Sequence, residues 1–223
     1  MLRYAITDRM QLGADETSRR SALLASVSRC ASLGVDLLQL REKDLPAAEL
    51  LALTRDVRAV LDAHSSPPKL LLNAPPELAL EVAAYIDGLH LPASRAVSPS
   101  KDRQLLATSP AFGQRQPLLS ISCHTLDDVQ TAAHHDVDLI LFGPIFGKFI
   151  ATHDGPEPAY RTVTPPIGLD ALRAACTLAG PTPVLALGGI TPANTILCLE
   201  AGAAGIAGIR LFQQTEPTPK PVP

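Results

Sequence analysis

Three polar residues, Gln39, Arg41 and Lys43, follow one another at alternate positions in the stretch DLLQLREKDL. Side chains of an extended segment point to its two sides in turn, so these three share one side. Two cations and an amide that converge on one spot favour an anion bound between them. On this stretch alone, the alternative is an ion pair at the rim of the fold with Glu42, Asp44 or a neighbouring strand.

The stretch LALGGITPAN is a second candidate for ligand binding. A strand breaks into Gly188 and Gly189, and a helix is expected to begin at once with Thr191 as its N-cap. Glycines let a ligand approach the backbone, and the free N–H groups at a helix start favour a phosphate. The sequence therefore predicts a phosphate site here.

A histidine, His124, follows the apolar stretch LLSIS, where a strand is expected to end. An imidazole at such a place can shuttle a proton near neutral pH. Its neighbour Cys123 could act as a nucleophile if its thiol ionised. The other three cysteines lack metal-binding spacing and are expected to be reduced core residues. For His90, we favour a hydrogen-bonded place in the wall of the fold.

Eight short apolar runs, separated by amphipathic segments, must position these residues. Alternation of this kind is typical of repeated βα units and a parallel sheet. The runs are apolar on both faces, so the pattern predicts an α/β fold, a single (β/α)8 TIM barrel. An open, doubly wound sheet is the structural alternative. The runs cover residues 4–7, 36–40, 69–73, 88–91, 118–122, 139–143, 184–188 and 205–209.

The barrel is expected to occupy residues 1–213, followed by a proline-rich C-terminal tail at 214–223. The tail cannot continue a helix, so the last helix of the barrel is predicted to be truncated or missing. A second copy of the chain could cover the resulting gap, which makes a homodimer an expected partner. The long loop at 143–168, rich in proline and glycine, is a candidate lid.

Composition argues against nucleic acid and membranes as partners. Of the 223 residues, 46% are hydrophobic and 18% are charged, and the formal net charge is −3. Such a chain has no basic surface for nucleic acid, and no apolar stretch reaches the roughly 18 residues of a membrane span. The first residues lack the apolar core of a secretory signal, so we expect a cytoplasmic location.

The carboxyl ends of the strands of a barrel form one mouth, where the working residues are expected to meet. The loops after the seventh and eighth strands usually form a phosphate site, which adds the turn at Ile209 and Arg210 to Gly188 and Gly189. The polar residues expected at the other strand ends include Asn73, Ser122 and Lys148.

Taken in chain order, several motifs resemble the thiamine phosphate synthase/TenI superfamily. The resemblance runs over about residues 4–213 and implies an enzyme of thiamine biosynthesis. The synthase branch joins a pyrimidine methyl diphosphate to a thiazole phosphate with Mg²⁺. The TenI-like branch includes a thiazole tautomerase, which aromatises a thiazole phosphate. The motifs are YAITD, LLQLREK, LLLN, DGLHL, SISCHT, LFGPIF, VLALGGIT and AGAAGIAGI.

Two positions distinguish these branches. The synthase typically carries an Asp after the Asn of its third strand and another after its fourth strand, and both serve the magnesium. This chain has Ala74 and Arg95 there, so the hard oxygen ligands that Mg²⁺ requires are missing. The threonine- and lysine-rich stretch that holds the diphosphate in the synthase is reduced to Lys148.

The resemblance therefore favours a thiazole tautomerase that needs no metal or other cofactor and transfers a proton. It implies His124 as the acid/base and a phosphorylated thiazole as the ligand. One alternative is a synthase whose magnesium ligands have moved, to Asp87 or Asp154. Another is a non-catalytic or regulatory barrel that binds a thiamine precursor. The implied substrate-binding residues are Gln39, Arg41, Lys43, Asn73, Ser122, Lys148, Gly188, Gly189, Ile209 and Arg210.

Overall fold

The structure is a computed structural model that describes residues 1–95, 99–152 and 159–213, with only the backbone described at 148–152 and 159–163. The strands are β1 (Leu2–Ile6), β2 (Leu37–Leu40), β3 (Lys69–Leu72), β4 (Gly88–Leu91), β5 (Leu118–Cys123), β6 (Leu139–Phe142), β7 (Lys148–Thr152), β8 (Ala159–Thr164), β9 (Val184–Leu187) and β10 (Gly205–Gly208). The α-helices are α1 (Glu16–Ser32), α2 (Ala47–Asp62), α3 (Pro76–Ala79), α4 (Pro99–Ala107), α5 (Leu126–Ala133), α6 (Gly168–Leu178), α7 (Thr195–Glu200) and α8 (Arg210–Gln213).

Eight parallel strands close into a barrel in the order β1-β10-β9-β6-β5-β4-β3-β2. Each of these strands overlaps one of the eight apolar runs, which confirms the predicted (β/α)8 barrel and excludes the open sheet. The helix after β10, α8, has four residues within the described part of the chain, which ends at Gln213, so a truncated last helix stays a prediction. The predicted tail at 214–223 lies outside the described residues.

The long loop after β6 contains an antiparallel hairpin, formed by β7 and β8. The sequence predicted a lid in this region but no strands. Residues 153–158, between the two strands, lie outside the described residues. A lid function for this hairpin stays a prediction.

The strands bury apolar side chains on both faces, which produces two layers of core. Side chains of one parity, among them Tyr4, Ile6 and Leu141, fill the barrel interior. Side chains of the other parity, such as Leu38 and Leu40, pack against the surrounding helices. Burying one such aliphatic side chain stabilises the fold by about 1.5–3 kcal/mol. Of the helices in the described ranges, none has both the length and the apolarity needed to cross a bilayer.

Three aspartates at the amino ends of strands join neighbouring strands at the bottom of the barrel. Each precedes one strand and accepts a hydrogen bond from a backbone N–H of the strand before it. Asp36 binds the N–H of Arg3 at 2.8 Å, Asp87 that of Leu70 at 2.9 Å, and Asp138 that of Leu119 at 2.7 Å. These carboxylates therefore lie at the end of the barrel opposite to the mouth.

Candidate active site at the barrel mouth

The fold brings the predicted site residues to the carboxyl ends of the strands. Gln39 lies in β2 and Ser122 in β5, while Asn73 directly follows β3. The amide of Asn73 donates to the backbone carbonyl of His90 at 3.1 Å and so joins the ends of β3 and β4. Placement at one mouth agrees with the prediction, and the binding roles of these residues stay predictions.

The β2 segment presents Gln39 and its two cations to this mouth. Gln39 is 1% exposed, and its side-chain oxygen has no hydrogen-bond partner among the described residues. Arg41 is half-buried and Lys43 is exposed. The positive charges of both act on His90 and help to lower its pKa, so both cations lie near the barrel interior.

The acidic residues of the same segment, Glu42 and Asp44, form ion pairs with Arg9. The hydroxyl of Thr7 donates to the Glu42 carboxylate and accepts from the backbone N–H of Arg41 at 2.9 Å. Burial raises the pKa of Glu42 to about 6, although the hydrogen bonds from Thr7 and from the Arg9 backbone oppose the rise. This network fastens the end of β1 to the cationic segment. The sequence did not predict this network. Its only signal was Glu42, an acid expected on the other side of the extended segment from Arg41 and Lys43.

His90 is buried inside the barrel, 4% exposed, as we expected from the sequence. Its Nδ1 lies 2.8 Å from the hydroxyl of Ser120, and its Nε2 lies 2.8 Å from that of Ser122. Burial lowers the pKa of His90 to about 3, and the charges of Arg41 and Lys43 contribute to this shift. His90 is therefore neutral at physiological pH.

His124 is exposed directly after β5. Its Nδ1 lies 2.7 Å from the backbone carbonyl oxygen of Gly143, after β6. A carbonyl oxygen only accepts hydrogen bonds, so Nδ1 carries the hydrogen of the neutral ring and Nε2 keeps a lone pair. The backbone N–H of His124 donates to Asp128, which together with Thr125 caps α5. This arrangement fixes the ring so that Nε2 can accept a proton.

The interpretation of Cys123 as a possible nucleophile is wrong. Cys123 is fully buried in the core outside the barrel. Burial, together with the negative charge of Asp128, raises the pKa of its thiol to about 12. A thiol with this pKa is almost entirely protonated at neutral pH, so it cannot attack a substrate.

Gly188 and Gly189 have a structural role that the sequence did not reveal. Their φ angles are +92° and +69°. A Cβ atom on Gly188 would lie 2.5 Å from Cβ of Pro144, and one on Gly189 would lie 2.8 Å from Cβ of Phe146. Close packing of the loop after β6 against the end of β9 therefore requires glycine at both positions, with or without a ligand.

Thr191 makes the hydrogen bonds of an N-cap, as predicted: its hydroxyl accepts from the backbone N–H of Asn194 at 3.3 Å, and its carbonyl accepts from that of Thr195 at 3.1 Å. The regular part of α7 begins at Thr195, and a turn at residues 192–194 leads into it from Thr191. The side chain of Asn194 accepts from the backbone N–H of Thr191 at 2.8 Å and donates to the carbonyl of Gly189 at 3.0 Å. The capped turn that leads into α7 therefore follows the two glycines closely, and a phosphate site here stays a prediction.

The last barrel strand leads directly into a short helix at the mouth. The carbonyl of Ile209 accepts hydrogen bonds from Phe212 and Gln213, so α8 starts at Arg210. A short extra helix at this place often contributes to the phosphate site of a barrel. Lys148 begins β7, and its side chain is not described.

At the two positions that serve magnesium in the synthase, the residues present do not fit the ion. Arg95 binds the carboxylate of Asp102 in α4, with Nε at 2.9 Å from an oxygen, and Ala74 offers no ligand. Asp87 lies at the opposite end of the barrel, so it cannot replace the missing aspartates, and Asp154 lies outside the described residues. Within the part of the chain that the structure describes, no group of three or more His, Cys, Asp or Glu residues could hold a metal.

Comparison with known proteins gives consistent matches over almost the whole chain. The profile of the thiamine monophosphate synthase family matches residues 4–212. A relative from Geobacter sulfurreducens, named "Putative thiamine-phosphate synthase", is 38% identical over 92% of this chain and 83% of its own length. The "Putative thiamine-phosphate synthase 2" of Aquifex aeolicus is 35% identical over 94% of this chain and 96% of its own length.

A solved structure shares the fold. The thiamine phosphate pyrophosphorylase of Pyrococcus furiosus superposes with a TM-score of 0.68 and 21% identity, covering 96% of this chain and 88% of that protein. This likeness supports the barrel fold. The family profile and the two relatives described above show the family of the chain. The chain belongs to the thiamine monophosphate synthase family.

Proposed function

We propose that this chain acts on a thiazole phosphate at the barrel mouth as a metal-independent thiazole tautomerase. Family membership supports the substrate class, since the family works on phosphorylated precursors of thiamine. One observation carries the choice of reaction: the two positions that serve magnesium in the synthase are Ala74 and Arg95, and Arg95 is ion-paired with Asp102.

The proposed reaction moves a proton from one carbon of a thiazoline ring to another. Nε2 of His124 takes the proton and returns it at the second carbon, and the aromaticity of the product drives the change. The phosphate is held by the turns at Gly188–Gly189 and Ile209–Arg210. Arg41 and Lys43 meet the ring carboxylate, and no step requires a metal.

A second candidate is the synthase reaction, which the names of the relatives favour. Both relatives described above are called thiamine-phosphate synthases, and neither name mentions a tautomerase. For this candidate, the magnesium ligands must come from residues outside those at the usual positions, such as Asp154. Residues that held a magnesium ion there would let it supply positive charge to the diphosphate of the pyrimidine substrate.

One incubation distinguishes these candidates. The purified protein is mixed with the thiazole tautomer, with and without the pyrimidine methyl diphosphate and Mg²⁺, and the products are identified. We expect aromatic thiazole phosphate to form without Mg²⁺. Mg²⁺-dependent formation of thiamine phosphate would instead establish the synthase, and tight binding without turnover would indicate a non-catalytic barrel.

Variants of two of the histidines that flank α5, His124 and His135, provide the matched control. His124→Ala removes the proposed acid/base, and we expect the tautomerisation rate to fall by about 10²–10⁴-fold. His135→Ala removes an imidazole beyond the C-terminal end of α5, away from the mouth, and is expected to keep the parent rate. Equal rates for His124→Ala and the parent protein would reject His124 as the catalyst.

A further inference from the structure

A chain of polar side chains runs through the largely apolar barrel interior up to the mouth. The phenol oxygen of Tyr4 lies 2.8 Å from the hydroxyl of Ser120 and 3.4 Å from Nδ1 of His90. Ser120 in turn lies 2.8 Å from Nδ1, and Nε2 lies 2.8 Å from the hydroxyl of Ser122. Tyr4 and Ser120 are both 0% exposed, while Ser122 is half-buried at the mouth.

The number of hydrogens in this chain distinguishes the two neutral forms of His90. If Nε2 carries the hydrogen, Tyr4 donates to Ser120 and Ser120 donates to Nδ1, so every buried donor has an acceptor. If Nδ1 carries it, three hydrogens compete for the oxygens of Tyr4 and Ser120. The described residues offer these two hydroxyls no other partner, so one buried O–H would stay unbonded.

An unbonded buried hydroxyl disfavours the second form by about ten-fold or more in population. The protonated ring is disfavoured as well, because burial and the nearby Arg41 and Lys43 lower the pKa of His90 to about 3. We propose that the hydroxyls of Tyr4 and Ser120 hold His90 as its Nε2–H tautomer, and that Ser122 thereby presents its own hydrogen to an acceptor atom of the ligand.

The tautomer has a direct consequence for recognition at the mouth. With Nε2–H, Ser122 accepts from His90 and its O–H is left to donate, which suits a carboxylate oxygen or an unprotonated ring nitrogen. With Nδ1–H, Ser122 would donate to His90, and its oxygen could only accept from a ligand. Tyr4 and Ser120 are therefore positioning residues that act through His90. The ligand half of this inference rests on the proposed site, whereas the tautomer half does not.

Nuclear magnetic resonance of ¹⁵N-histidine-labelled protein tests the tautomer without any ligand. Correlations between ring nitrogens and carbon-bound hydrogens show which nitrogen is protonated, and the His90 signals are assigned by their loss in His90→Gln. We expect a protonated Nε2 and a bare Nδ1, unchanged down to about pH 5 because the ring stays neutral. A protonated Nδ1 would overturn the proposal.

Two variants test the role of the buried hydroxyls. Tyr4→Phe leaves Ser120 as a donor to Nδ1, so we expect the wild-type tautomer. The double variant Tyr4→Phe/Ser120→Ala leaves no hydroxyl there, so both tautomers should be populated, with thermal unfolding used to verify the fold. If the double variant keeps only the Nε2–H form, the hydroxyls do not determine the tautomer and the proposal fails.

Ligand binding provides the second half of the test. Thiazole phosphate carboxylate is titrated into the folded variants by calorimetry. We expect the double variant to bind it several-fold more weakly than Tyr4→Phe, since Ser122 then donates to the ligand for only part of the time. Equal affinities would overturn the ligand half. If the wild type does not bind this compound, the proposed function fails while the tautomer result is unaffected.

Discussion

Replacing Gly188 by alanine tests whether this glycine is required by packing at the mouth. Two independent effects act on the new side chain. The φ angle of +92° is unfavourable for any L-residue other than glycine, and the Cβ atom would lie 2.5 Å from Cβ and 2.6 Å from Cα of Pro144. Pro144 adjoins Gly143, whose carbonyl binds His124, so the collision also affects the proposed acid/base.

The magnitude follows from adding the two effects. A left-handed backbone costs a non-glycine residue about 1–2 kcal/mol. Inserting a methyl group into a closely packed site costs about 1–3 kcal/mol more, because Pro144 must move by several tenths of an ångström. The free energy of unfolding is therefore expected to fall by about 2–5 kcal/mol.

A matched control separates the two effects. Gly34 has a φ of +68°, but a Cβ atom added to it would meet no other atom within 4 Å, so Gly34→Ala reports the backbone effect alone. Its expected loss is about 1–2 kcal/mol. Both variants are unfolded in urea, and the midpoints of their transitions are compared. The midpoints reflect stability if the free energy of unfolding falls with urea concentration at the same slope in both variants.

The comparison has a clear negative outcome. If Gly188→Ala loses no more stability than Gly34→Ala, then Pro144 yields without cost and packing does not require glycine at this position. The glycine would then be explained by close approach of a ligand, as expected from the sequence. A larger loss in Gly188→Ala supports packing as the reason.

Three further predictions concern two acids and a thiol that take no direct part in the proposed chemistry. Asp87→Ala is expected to lower the free energy of unfolding by about 1–3 kcal/mol, because the backbone N–H of Leu70 loses its acceptor. Turnover at the mouth should stay unchanged. Lost turnover would contradict the location of Asp87 at the bottom of the barrel. Between pH 4.5 and about 6, Glu42 keeps a proton in the folded protein that it releases in the unfolded chain. The free energy of unfolding, measured in urea, should therefore fall as pH rises, by about 2 kcal/mol relative to Glu42→Gln. Parallel pH profiles of the two proteins would refute this. Cys123 should resist iodoacetamide at pH 8 until the protein unfolds, because its thiol is buried with a pKa of about 12; rapid labelling of the folded protein, followed by mass spectrometry, would count against it.

Local patterns in the sequence were sufficient for the barrel. Each strand is a short run of apolar residues, and its burial depends mainly on that run and on the turn residues at its ends. Placement of Gln39, Ser122 and His124 at one mouth followed from chain order, because the carboxyl ends of parallel strands meet at the same face. The interpretation of His90 as a wall residue followed from its place inside an apolar strand.

Contacts between distant segments were beyond this kind of reasoning. Arg9 forms ion pairs with Glu42 and Asp44, the two acids that flank Lys43, although nothing in the sequence near residue 9 predicts these pairs. The hairpin in the loop after β6 was also missed, because its two strands lie in a segment that reads as irregular. Both features depend on which segments meet after the barrel closes.

By itself, the sequence determined the βα repeat and the set of residues at the mouth, because these depend on short-range periodicity. Only the tertiary structure decided how these residues are used. It buried Cys123, placed Asp87 at the far end and explained Gly188 by contact with Pro144. Burial, pKa and close packing are set by neighbours in space, and in a barrel those neighbours come from strands far apart in the chain.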